Sequence, residues 1–120
     1  MRMRWLIVSM LIATGACAPP LWLSPPVVTT GGVRFAMAHA SARMVALAGS
    51  FNGWSTSAHP LTLERQRGLW TVLVELPPGE HQFMYVVDGT EWISPPFAED
   101  YADDGFGSRN GIVVVRPSAP

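Results

Sequence analysis

The chain of 120 residues contains no lysine. Its eight arginines face nine acidic side chains for a net charge of −1, so it carries neither a basic footprint for DNA or RNA nor a phosphate-gripping patch. Cysteine is nearly absent too. Cys17 stands alone, and a domain near 100 residues buries enough apolar surface to fold without a disulfide. From Val33 onward no ten-residue stretch shows a helical stripe, and the apolar run from Trp5 to Ala13 is far too short to cross a bilayer as a helix. His39, His59 and His81 are isolated from one another, and none has metal-ligand spacing. Glu99, Asp100, Asp103 and Asp104 crowd together without the ligand spacing of a calcium loop, and they read as a solvated turn. No nucleophile, base and acid form a set. The expectation is a protein that is not an enzyme, with no metal site and no cofactor.

What is present begins with an export segment. Arg2 and Arg4 precede the apolar run, and Ala13-Thr14-Gly15-Ala16 leads small residues into Cys17. That pattern resembles a bacterial lipobox, although Thr14 stands where leucine is common. The expectation is a signal peptide over residues 1–16, cleavage before Cys17, and lipidation of the Cys17 thiol; ordinary cleavage to a soluble periplasmic form is the alternative. The mature chain would keep six arginines against nine acids and carry a charge of −3. Residues 17–32, with Pro19, Pro20, Pro25 and Pro26, read as a semi-stiff tether. An envelope lipoprotein follows as the expected location. Ala18 after the cysteine points to the outer membrane, by resemblance to enterobacterial sorting.

From Val33 the hydrophobic period is two, which is the signature of strands. Val33, Phe35 and Met37 alternate with smaller or polar residues, Met44–Ala48 forms a second run, and Leu61 and Leu63 mark a third. Trp70, Val72, Val74 and Leu76 share one face of the next strand, making Trp70 a core candidate. Pro77-Pro78-Gly79 breaks that strand, and Gln82–Val87 reads as its antiparallel hairpin partner. Asp88-Gly89 turns the chain into a short return strand over Thr90–Ile93, and Ile112–Val115 is the last strand. About seven short strands with turns between them imply an all-β, immunoglobulin-like β-sandwich over residues 33–116, with residues 117–120 as a tail.

The stretch Gly49-Ser50-Phe51-Asn52-Gly53-Trp54 is the most informative. Asn52-Gly53 accepts positive φ, and the turn delivers Trp54 either as a lid on the core or as an exposed stacking platform.

The ordered set of that stretch, Pro60-Leu61, Gly68-Leu69-Trp70, Leu76–Phe83, Val87-Asp88-Gly89, Trp92 and Asp104–Asn110 resembles the family-48 carbohydrate-binding modules. These include the glycogen-binding domain of the AMP-activated kinase β subunit and the early-set domains of isoamylases and branching enzymes. The resemblance spans about residues 33–116. It implies a non-catalytic module for an α-glucan such as glycogen or starch, with Trp54 and Trp92 cradling the chain. Phe106, Ser108 and Asn110 then stand in for a loop that inserts an apolar side chain and offers polar groups to sugar hydroxyls. Met84 falls where the family has a sugar-binding lysine, and one residue is extra before Trp92. The sugar contact is then weaker, or another donor such as Arg109 substitutes, or the ligand differs. The alternative is an early-set domain of the same fold that engages a protein partner or the envelope and no sugar.

Overall fold

The computed structural model describes residues 25–117. The expected signal peptide, Cys17, the first part of the tether and residues 118–120 lie outside them. Nine strands are described: β1 Val27–Thr29, β2 Gly32–Ala38, β3 Val45–Gly49, β4 Thr62–Glu64, β5 Leu69–Val74, β6 Gly79–Val87, β7 Glu91–Ile93, β8 Asp100–Asp103 and β9 Arg109–Val115. They form two antiparallel sheets, β1-β2-β5-β4 and β3-β6-β9-β8, with β7 also paired to β6. The all-β sandwich is as expected, with two strands more. β8 lies where the acidic residues suggested a solvated turn, because Asp100–Asp103 pairs with β9 from Ile112 to Arg109. Carboxylates on such an edge strand discourage pairing with a further chain. β1 lies inside the stretch read as tether and pairs Val27 with Arg34 through Thr29 with Gly32. All three of its side chains are exposed, so no burial pattern marks it in the sequence.

The expected hairpin between β5 and β6 does not form. β5 lies between β2 and β4, while β6 is in the other sheet. Pro77 and Pro78 have no N–H to continue a ladder, and this connection carries the chain across the sandwich. Each of these long strands thereby becomes the centre of its own sheet.

Alternation does the rest. Val33, Phe35 and Met37 from β2, Val45 and Leu47 from β3, Trp70 and Val74 from β5, and Phe83, Tyr85 and Val87 from β6 share one buried cluster. Phe35 and Phe83 meet edge to face, their ring centres 5.0 Å apart. The Tyr85 hydroxyl donates to the Ala36 carbonyl at 3.3 Å, tying the sheets together. Burial pushes its pKa up, and this bond draws it back only in part.

On β6, Gln82, Met84 and Val86 alternate with that core set and therefore face outward. The expected turn at Asp88-Gly89 does join β6 to β7, with both residues at positive φ. The Asp88 carboxylate accepts the N–H groups of Met44 and Arg43. These two bonds, Met44's first, hold its pKa below the ordinary aspartate value. Trp92 is then opposite Val86, on the outer face.

Candidate functional site

The outer face of β6 becomes a site because its second edge is shared. β9 pairs with residues 79–83 and β7 with residues 85–87, leaving Met84 at the junction. A groove of about 480 Å³ opens over it, with Met84 and Asn110 in its lining, Trp54 and Trp92 as walls, and the loop carrying Phe106 and Ser108 at its rim. The five residues expected to meet a sugar are thus brought to one concavity. They come from the loop after β3, from β7, from the loop before β9 and from β9 itself.

Each side chain is held by a local device. Asn52 organises the first loop with all four hydrogen-bonding positions of its amide. Its Oδ1 accepts from the N–H of Gly49 at 3.0 Å and of Ser55 at 3.2 Å. Its Nδ2 donates to the Leu47 carbonyl at 2.9 Å and lies 2.8 Å from Nδ1 of His59. Gly53 and Trp54 both take positive φ, at 65° and 59°, and the Trp54 N–H closes the turn on the Gly49 carbonyl. A non-glycine residue in that region carries strain, and here the turn aims the indole at the groove. Trp54 is half-buried, so it lies between lid and platform. Gly49 permits the whole arrangement, because any Cβ there would run into the Phe51 ring and the Gln82 carbonyl.

The second loop is closed by Asp104. Its Oδ1 accepts the N–H groups of Phe106 at 2.7 Å and Ser108 at 3.0 Å, and its own N–H donates to the Ser108 carbonyl at 3.1 Å. Phe106 therefore projects from a fixed loop with 93% of its surface exposed. Trp92 is 44% exposed. Asn110 is buried to 7% exposure and its Nδ2 donates to Gln82 Oε1 at 3.0 Å.

Other expectations resolve differently. Arg109, the suggested substitute for a lysine donor, stacks on the Tyr101 ring at 4.7 Å. Alternation along β9 puts it on the face opposite to Asn110. The histidines serve loop architecture. His39 Nδ1 accepts the N–H of Ala42 at 2.9 Å, His59 meets Asn52, and His81 Nε2 donates to the Pro77 carbonyl at 2.8 Å. The nearby carboxylates also bind backbone, Asp100 taking the N–H of Tyr101 and Glu99 that of Val114. The sequence reading missed Asn52 as the organiser and Asp104 as the loop clamp. An Asn three residues after a strand's end in a Gly-Ser-Phe-Asn-Gly turn, and an Asp four residues before a Ser, are the signals that carry them.

Residues 33–120 match the family described as the glycogen recognition site of AMP-activated protein kinase. The chain is 43% identical over 65 residues to the 1,4-alpha-glucan branching enzyme of Pseudomonas syringae, a stretch that is 53% of this chain and 9% of that enzyme. It is 38% identical over 72 residues to the beta-1 subunit of 5'-AMP-activated protein kinase from Sus scrofa, covering 60% of this chain and 54% of that sequence. Against the human beta-2 subunit it is 34% identical over 74 residues, 62% of this chain and 25% of the subunit. The chain thus spans between about a tenth and about a half of the length of these relatives. With the family match running through all of the strands from β2 to β9, this chain belongs to the glycogen-recognition family of carbohydrate-binding modules.

Proposed function

We propose that the chain is a non-catalytic α-glucan-binding module held at a bacterial cell envelope by lipidated Cys17, with the groove over Met84 as its sugar site. The observation that supports the sugar reading is the convergence of Trp54, Trp92, Phe106, Ser108 and Asn110 on one groove. Glucose presents a weakly polar C–H face that stacks on an indole and a rim of hydroxyls that need directional partners. Phe106, almost fully in solvent, gains burial when inserted between turns of a glucan.

The affinity is modest. Two indoles each covering roughly 50 Å² of sugar at about 25 cal/mol/Å² supply roughly 2–3 kcal/mol. A few hydrogen bonds exchanged with water add about 1 kcal/mol each, which gives a Kd of about 0.1–1 mM. Met84 supplies contact area and no donor, so the binding relies on stacking more than on polar grip.

In native gels cast with glycogen or starch, the domain migrates more slowly than in gels without polymer, and Trp92→Ala restores full mobility while keeping the melting temperature within a few degrees. Trp92 is partly exposed on a three-residue strand, so its removal costs about 1 kcal/mol or less. Identical wild-type mobility in all gels would favour an early-set domain that engages a protein partner and no sugar.

The anchor rests on the basic start, the apolar run and the small residues before Cys17. The wild-type protein partitions with membranes, and Cys17→Ala appears in the soluble fraction or accumulates unprocessed. Wild-type protein recovered entirely as a soluble, unmodified periplasmic form would remove the anchor.

A further inference from the structure

Among the described residues lining the groove there is one charge, and it is negative: Asp104. The one cation close in sequence, Arg109, is stacked on Tyr101 on the opposite side of β9. Asp104 commits Oδ1 to two loop N–H groups, and these lessen its charge without cancelling it. Asn110 gives one of its two amide hydrogens to Gln82. The remaining polar groups of the lining are neutral: the Ser108 hydroxyl, the Asn110 amide and the two indole N–H groups. A sugar hydroxyl, both donor and acceptor, can meet every one of them and Asp104 as well. A phosphate or carboxylate meets a like charge at Asp104.

Resting on the glucan reading above, we infer that Asp104 biases this groove toward uncharged glucans and against phosphorylated or carboxylated ones. The residue has two separable duties. Its Oδ1 fixes the loop that presents Phe106, and its charge screens the ligand. Asp104→Asn keeps an Oδ1 acceptor for the Phe106 and Ser108 N–H groups and removes the charge, with an NH2 donor in place of Oδ2.

The test is titration of the whole protein with maltoheptaose and with maltoheptaose carrying one phosphate on a glucose C6, at low and at high ionic strength. Two like charges at groove distances in a partly aqueous setting weaken binding about fivefold, and salt screens most of that. Wild type therefore binds the neutral sugar about fivefold more tightly at low salt, with the gap closing at high salt. Asp104→Asn binds the two sugars within about twofold of each other under both conditions, and the ratio of the two affinities is the readout because Asp104 also holds the loop.

Equal wild-type affinities for the two sugars overturn the inference and leave the glucan site standing. A gap that persists unchanged in Asp104→Asn also overturns it, since the phosphate is then excluded by shape. Should Asp104→Asn lose neutral-sugar binding through the loop it closes, the wild-type salt dependence decides, and a gap that high salt leaves open overturns the inference. Binding of neither sugar by wild type fails the glucan reading and this inference together.

Discussion

Trp70→Ala unfolds the domain or brings it to the edge of unfolding at room temperature. The indole is 6% exposed within the sandwich cluster, between Met37 on one neighbouring strand and Leu63 on the other. Removing a core tryptophan costs about 3–5 kcal/mol, against a total of about 5–14 kcal/mol for a domain of this size. The indole Nε1 is buried without a hydrogen-bond partner among the described residues, which sharpens the expectation. Trp70→Phe loses volume but also removes an unsatisfied donor whose burial costs about 1–3 kcal/mol, so it is far milder than alanine. Urea melts of the two variants check this. Equal destabilisation by Phe and Ala would mean that the Nε1 proton is satisfied in solution.

Asn52→Ala has the second-largest effect and, unlike Trp70, it strikes fold and site together. Four hydrogen bonds at about 1 kcal/mol each meet at one amide that joins the end of β3 to residues 55 and 59. The expected loss is about 2–4 kcal/mol. The turn that forces Trp54 into positive φ loses its clamp as well, so sugar retention falls even at temperatures where the variant is fully folded. Asn52→Asp is the sharper form of the experiment. It preserves shape but turns the Nδ2 position into an acceptor facing the Leu47 carbonyl, so it destabilises as much as alanine does. A folded Asn52→Asp with wild-type stability and sugar binding would show that the turn is held by its backbone bonds alone.

The contrast between these two residues explains what was legible in the sequence. Trp70 declares itself through period-two spacing with Val72, Val74 and Leu76, because one face of a strand is buried and the pattern repeats. β2 and β6 were readable for the same reason, and β3 and β9 as short continuous apolar runs. β1 and β8 were not, since their exposed or half-buried side chains follow no alternation. The partnership of β6 was misread because proximity in sequence suggests a hairpin, whereas two consecutive prolines and two buried centres favour a crossover. The site residues came from a family resemblance, and the structure adds what no spacing could supply. It places Trp54, Trp92 and Phe106 around the junction of β7 and β9 on β6, and it turns Arg109 away from them. Asn52 and Asp104 were visible as turn-forming types, but which N–H groups they would hold depends on the loop conformation itself.

One of the shortest ladders among the described strands has a mechanical meaning. β1 is three residues long, bears three exposed side chains and is joined to β2 by a tight turn through Thr30 and Gly31. A pull on the chain ahead of Pro25 enters the domain through this strand and meets a short run of backbone hydrogen bonds before it reaches Val33 and Phe35. β1 can peel from β2 and pay out about 10–20 Å of chain, while the groove lies in the other sheet. On the tether reading, β1 is the stitch that a load meets first, and it can zip back onto an intact β2 when the load is gone.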